Sequence, residues 1–313
     1  MEYMKKISIL FPGQGSQYVG MGSDLYQKFD MAKEIYKRAE VILGYDIKEI
    51  SFNGPPEELK KTEICQPAIF LHSIILFKLL REKGVAIDCV AGHSLGEYVS
   101  LTAAGSVDFA NGLRLIKKRG ELIKEASERN PGSMAAIIGL DRKKVRKICK
   151  ELSKKGVLQP VNYNSPGQIV VSGSKELISQ AIESAKSEGA LKALELEVSG
   201  AFHTVFMKRA YDGIGEYLEN FSIMRPDIPI ISNVTIKPMT KPDEIKKNIA
   251  QQLISPVMWE DSIRYMIDKG TDIFIEVGPG RVLRGLLKRI DKNAVCLGID
   301  RADDLDKLDK IFS

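Results

Sequence analysis

The order of apolar runs along the chain predicts an α/β protein: a large domain on a parallel sheet, with a smaller domain inserted into it. Three observations carry this. Short apolar strands alternate with amphipathic helices near both ends of the sequence, the pattern of a parallel sheet covered on both faces. The middle has another rhythm, strand, helix, strand, strand, helix, strand, which is a split-βαβ order. And 313 residues exceed one small domain while falling short of three typical ones.

Residues 6–11 open the large domain as a short apolar strand ending in Pro12-Gly13-Gln14-Gly15-Ser16-Gln17. Over 31–43, Ala32, Ile35, Ala39 and Ile42 lie near helical spacing. Residues 66–83 read as a strongly apolar helix, with Pro67 in its first turn and Gly84 as its stop. A short apolar run at 89–91 precedes Gly92-His93-Ser94-Leu95-Gly96, and helices are expected from there to Ala104 and over 108–126.

Asn130-Pro131-Gly132 breaks this pattern. Strands follow at 133–138, 158–163, 168–172 and 191–198, with helices at 142–154 and 175–186. That order is ferredoxin-like, and Ser199-Gly200 closes it. The expected division is 1–130 with 199–313 for the core, and 131–198 for the inserted subdomain. The core resumes with a helix over 204–219, a strand over 228–234 and a helical stretch carrying Gln252 toward Pro256 and Trp259. A strand over 272–277 then turns through Gly278-Pro279-Gly280 into a helix from Val282.

With 44% apolar and 28% charged residues, the chain can bury a large core. No uncharged apolar run approaches the ~20 residues of a membrane span; the longest, 69–80, is interrupted by His72, Ser73 and Lys78. Residues 1–6 pass into the first strand without the apolar segment of a secretory signal. No membrane association and a cytoplasmic location are expected. Cys65, Cys89, Cys149 and Cys296 form no CxxC pair and read as reduced cysteines at or near the core. Three histidines, none at ligand spacing, argue against a zinc site. The net charge of +5 is dispersed, too mildly basic for nucleic acid but suited to an acidic protein partner. One basic cluster is Arg281, Arg284, Lys288 and Arg289.

Gly92-His93-Ser94-Leu95-Gly96 fits G-x-S-x-G with an apolar strand before it and a helix after it. A sharp turn there lifts the serine hydroxyl above the sheet and leaves room only for small flanking residues. The helix N-terminus then aims amide donors at developing negative charge. This makes the large domain hydrolase-like. The serine needs a base. His72 lies in an apolar helix and His93 is carried round the turn, whereas His203 lies at a loop-to-helix boundary after the insert. His203 is the best placed of the three. No acid to orient it can be chosen from spacing. Gly13-Gln14-Gly15 does not extend to a dinucleotide or P-loop motif, because Gly20 is too distant and no Lys-Ser or Lys-Thr follows.

At these residues the chain resembles the malonyl-CoA:acyl carrier protein transacylase family, which includes the acyltransferase domains of polyketide synthases. The likeness runs from Phe11 to about Ile290. Its landmarks are the Pro12–Gln17 turn, the elbow with Glu97-Tyr98, Arg119-Gly120, Asn162-Tyr163-Asn164-Ser165-Pro166, Gly200-Ala201-Phe202-His203, Ser232-Asn233-Val234, Gln252-Leu253 and Glu276-Val277-Gly278-Pro279-Gly280. The resemblance implies Ser94 as nucleophile and His203 as base, oriented by the backbone carbonyl of Gln252. It implies an oxyanion hole from the amides of Gln14 and Leu95, and Arg119 as the anchor for the malonyl carboxylate. On composition alone Arg119, beside Lys117 and Lys118, reads as part of a solvated basic face.

Asn162 is expected to line the cleft. Phe202 resembles malonyl-using members, whereas methylmalonyl-using ones tend to carry serine there. Ile123 stands where members often carry methionine. The implied substrates are malonyl-CoA, a coenzyme A thioester, and holo acyl carrier protein, with no bound cofactor and a monomeric enzyme. The rivals are a serine thioesterase or hydrolase, an acyltransferase serving a polyketide synthase, and a catalytically silent docking scaffold.

Overall fold

The computed structural model describes residues 5–306 and residue 308. The reading of the first four residues, and the end of the expected 199–313 segment, fall outside them. Ten strands are described: β1 Ile7–Phe11, β2 Cys89–Gly92, β3 Ser133–Ile138, β4 Leu158–Ser165, β5 Gln168–Gly173, β6 Lys192–Glu195, β7 Ile230–Ile231, β8 Pro238–Met239, β9 Ile273–Val277 and β10 Val295–Ile299.

They form two sheets. The larger has the order β10-β9-β1-β2-β7-β8 and is parallel except for its β7–β8 edge. β1 and β9 are buried along their whole length, as strands covered by helices on both faces are. The smaller sheet has the order β4-β5-β3-β6, antiparallel throughout. Helices Arg142–Leu152 and Lys175–Ser187 give it its own apolar core, with Val145, Ile148, Leu177 and Ile178 against Ile137 and Val171. The two sheets are stitched together where Val257 donates to Val161 (2.8 Å) and accepts from Tyr163 (3.0 Å).

Several elements differ from the sequence reading. The apolar helix runs over Thr62–Glu82, so Pro67 lies inside it rather than in its first turn. Proline cannot donate to the carbonyl four residues back; here the Tyr45 hydroxyl donates to that Glu63 carbonyl at 3.3 Å. This helix is longer than its apolar run suggested, and it has the length and composition of a membrane span. However, 89% of its most apolar window is buried within the protein.

The strand expected over 228–234 is reduced to β7, because Ser232 turns the chain back by donating to Lys237 (3.0 Å). That turn takes Asn233 out of the ladder and toward Ser94. The expected 191–198 strand is reduced to β6, with one further backbone bond from Leu196 to Met134 (2.9 Å). Helices Ser23–Lys28, Ile47–Asn53 and Pro56–Lys60, together with β10, have no counterpart in the sequence reading. The helices are too short for apolar periodicity to register.

Candidate active site

β2 ends at Gly92 and helix Leu95–Ala103 begins one residue after Ser94. Ser94 has φ 50° and ψ −103°, a conformation that a non-glycine residue keeps only when its surroundings impose it. Both of its peptide groups are held. Its N–H donates to Asn233 Oδ1 (2.8 Å), and its carbonyl accepts from Gln252 Nε2 (2.8 Å). The flanking glycines are dictated by close approach. A Cβ on Gly92 would lie 1.8 Å from the Gly96 carbonyl carbon, and one on Gly96 would lie 2.1 Å from Phe11 O.

His203 stands on a turn residue of its own, with φ 61°. Its Nε2 is 2.9 Å from Ser94 Oγ and its Nδ1 is 2.8 Å from the Gln252 carbonyl. A carbonyl only accepts, so Nδ1 carries the proton and Nε2 presents a lone pair to the serine hydroxyl. Burial, with Arg119 nearby, pushes the His203 pKa down to about 3. The imidazole is therefore neutral, and able to take a proton, throughout the physiological range. The Gln252 carbonyl supplies the orienting contact that an aspartate supplies in other serine enzymes.

Arg119 is 2% exposed, not part of a solvated face. It projects from helix Phe109–Arg129 under the elbow. Nη1 donates to Gln66 Oε1 (2.8 Å), and Nη2 donates to Gln252 Oε1 (3.2 Å) and to Ser94 Oγ (3.2 Å). The guanidinium lies over the Tyr98 ring at 4.7 Å. Its hydrogen-bond partners are amide and hydroxyl oxygens, and its Nε has none among the described residues. A buried cation without a paired carboxylate is costly, and the cost falls when an anionic ligand enters.

Ser94, Leu95, Gln14, Arg119, Phe202 and His203 line one cavity of about 110 Å³, and Asn162 reaches the same space. Asn162 Oδ1 is buried without a partner among the described residues. The backbone N–H groups of Gln14 and Leu95 donate to no protein acceptor among the described residues, so both are free for an oxyanion. Gln14 is steadied by its side chain, which donates to Thr62 Oγ1 (3.2 Å). A wider groove of about 470 Å³ shares Gln14, His93 and Asn162 with the cavity and runs outward past Lys60, Gln168 and Val282. Arg289 hydrogen-bonds Gln168 at its edge.

The other histidines have other partners. His93 Nε2 is paired with Asn164 Oδ1 (2.8 Å), and its ring meets Trp259 edge-on. His72 is fully buried against Asp300. Glu97, Asn233 and Gln66 took no individual role in the sequence reading. Glu97 and Asn233 occurred only within motifs, and no local signal marks what they hold.

An acyltransferase is the class that this fold and cavity fit. Residues 9–299 match the acyl transferase domain family, and the chain belongs to that family. It is 40% identical over 304 residues to the malonyl CoA-acyl carrier protein transacylase of Bacillus subtilis, covering 97% of this chain and 96% of that one. Among solved structures it resembles a malonyl-transacylase in complex with a holo type II PKS acyl-carrier protein (TM-score 0.94, 38% identity, 96% and 98% of the two chains). It also resembles an acyl carrier protein S-malonyltransferase from Vibrio cholerae (TM-score 0.93, 38% identity, 97% and 99% of the two chains).

Proposed function

We propose that this protein moves the malonyl group of malonyl-CoA to the phosphopantetheine thiol of holo acyl carrier protein, through an ester on Ser94. The observation that carries the reading is the Arg119 guanidinium, buried without a carboxylate partner and 3.2 Å from Ser94 Oγ. A plain hydrolase has no use for such a cation beside its nucleophile. A carboxylate completes it through two parallel hydrogen bonds that a planar guanidinium is shaped to make.

In this mechanism His203 Nε2 takes the Ser94 proton as Oγ attacks the thioester carbonyl. The Gln14 and Leu95 amides hold the resulting oxyanion. The C–S bond then breaks, and the proton passes from His203 to the departing coenzyme A thiolate. The carrier thiol enters by the same groove and reverses the steps: His203 takes its proton, the thiolate attacks the ester, and Ser94 recovers its proton. Asn162 and Phe202 shape the acyl end of the cleft, the ring filling space that an α-branched acyl group would need.

The reading extends to fatty acid biosynthesis. Service to a polyketide synthase is the second reading, favoured by the carrier complex among the structural neighbours. The chain is read as a cytoplasmic monomer, with residues 131–198 as an inserted subdomain; the separate sheet and core of that segment support the division.

The test is intact mass after incubation with malonyl-CoA. One malonyl group should be added, mapped to the peptide containing Ser94 and absent from Ser94→Ala. A label on a cysteine would sink the mechanism.

A further inference from the structure

Glu97 lies in the first turn of the elbow helix, is 0% exposed, and touches no atom that reacts. Its two oxygens face two different donors. Oε1 accepts the backbone N–H of Asn233 at 2.9 Å, and Oε2 accepts Gln252 Nε2. These two residues are the ones that hold Ser94. Asn233 Oδ1 takes the Ser94 N–H, and Gln252 Nε2 donates to the Ser94 carbonyl. One carboxyl group therefore ties together both restraints on the strained serine.

The orientation of both donors is fixed by hydrogen-bond accounting. Asn233 presents a backbone N–H, which only donates. Its side chain cannot turn round either, because Nδ2 donates to the Gly92 carbonyl at 2.7 Å while Oδ1 accepts from Ser94. Gln252 Oε1 is committed to Arg119, a pure donor, and Nε2 is committed to the Ser94 carbonyl, a pure acceptor. The NH₂ of Gln252 therefore faces Glu97. A carboxyl group with a fixed donor on each oxygen is best matched by its acceptor-only, ionised form.

Building on the function proposed above, we propose that Glu97 is a positioning residue whose ionised carboxylate holds the Ser94 elbow and Gln252 in register for acyl transfer. Gln252 transmits this to three places, since its amide also binds Arg119 and its carbonyl orients His203. Burial works against the ionised form and pushes the Glu97 carboxyl up to about 7. The charged and titratable groups facing it are Arg119 and Tyr98; Asn233, Gln252 and Ser232 face it as neutral groups. His203 is already neutral far below this range. A step in acylation near neutral pH that disappears in Glu97→Gln therefore belongs to Glu97.

The experiment is the first-order rate of Ser94 acylation at saturating malonyl-CoA and at saturating acetyl-CoA. It is followed by quenched intact mass over roughly pH 5.5 to 8.5, a span that brackets a carboxyl raised by burial. In the wild type the rate should rise about tenfold per pH unit below 7 and level off above it. In Glu97→Gln the side-chain NH₂ meets one of the two fixed donors. The plateau rate should fall roughly 10- to 100-fold for both acyl groups, with KM changed less than about twofold and no pH step.

A folded Glu97→Gln enzyme with wild-type acylation rate and pH profile overturns the proposal. A wild type that forms no malonyl ester at any pH overturns the function proposal itself, and this one with it.

Discussion

Two regions of the molecule each hold a buried histidine, and they look alike until their partners are compared. Around His72, the ring Nε2 meets the Asp300 carbonyl at 2.8 Å and the Asp300 carboxylate at 3.1 Å. Around His203, no acid contacts the ring. One ring nitrogen meets a backbone carbonyl and the other meets Ser94 Oγ. A search for a histidine–aspartate pair would choose the wrong region. The acid at His72 ties the Thr62–Glu82 helix to the segment after β10, and Asp300 also accepts from the Tyr18 hydroxyl at 3.0 Å.

What distinguishes the His203 region is a hydroxyl within reach of a lone pair whose position is fixed by the opposite nitrogen. A carbonyl achieves this without adding negative charge beside Arg119. On the function proposed above, an aspartate at the same place would oppose the substrate carboxylate at Arg119.

Mutation of each region sharpens the contrast. Ser94→Ala should lower turnover by about 10⁴- to 10⁶-fold, and His203→Ala nearly as much, because the serine alone is a poor nucleophile. His72→Ala should leave turnover within about twofold. It should instead cost stability, on the order of 1–3 kcal/mol, because Asp300 loses a buried partner. Steady-state kinetics beside thermal melting separate the two. Equal losses of turnover in two folded variants would mean that the wrong histidine has been chosen as base.

Arg119→Ala should come next in size. Removing one member of a desolvated, hydrogen-bonded charge pair costs roughly 2–5 kcal/mol, about 30- to several-thousand-fold. Malonyl transfer should carry that loss, while acetyl transfer, which brings no carboxylate, should fall much less. Arg119→Lys should rescue poorly, since an ammonium cannot make two parallel bonds. Rates measured with both substrates on each protein would expose simple misfolding, which lowers the two alike. Equal losses in a folded variant would remove the physical support for a malonyl substrate.

Much of the fold was legible because the signals are local. β3 spans residues 133–138 as its run of apolar residues indicates, and helix Asp30–Leu43 follows its periodicity within a residue. The elbow was legible for the same reason: strand, turn and helix follow one another without interruption from Cys89 to Ala103. Arg119 was not legible from composition, because its burial comes from Gln66, Tyr98 and Gln252, which the sequence keeps apart. Asn233 and Glu97 were harder still. They meet across 136 positions of chain, and the turn at Ser232 that brings Asn233 there interrupts what reads as a plain strand. Buried polar networks satisfy one another in three dimensions, so their members carry no pattern along one.

The central claim is transfer, and one measurement addresses it directly. Malonyl-enzyme is prepared with malonyl-CoA, freed of excess substrate and mixed with holo acyl carrier protein, and both proteins are followed by intact mass. The account predicts that the carrier gains one malonyl group on its phosphopantetheine as the enzyme returns to its unmodified mass, with little free malonate. Loss of the ester to water at the same rate with or without carrier would contradict it and make the protein a hydrolase.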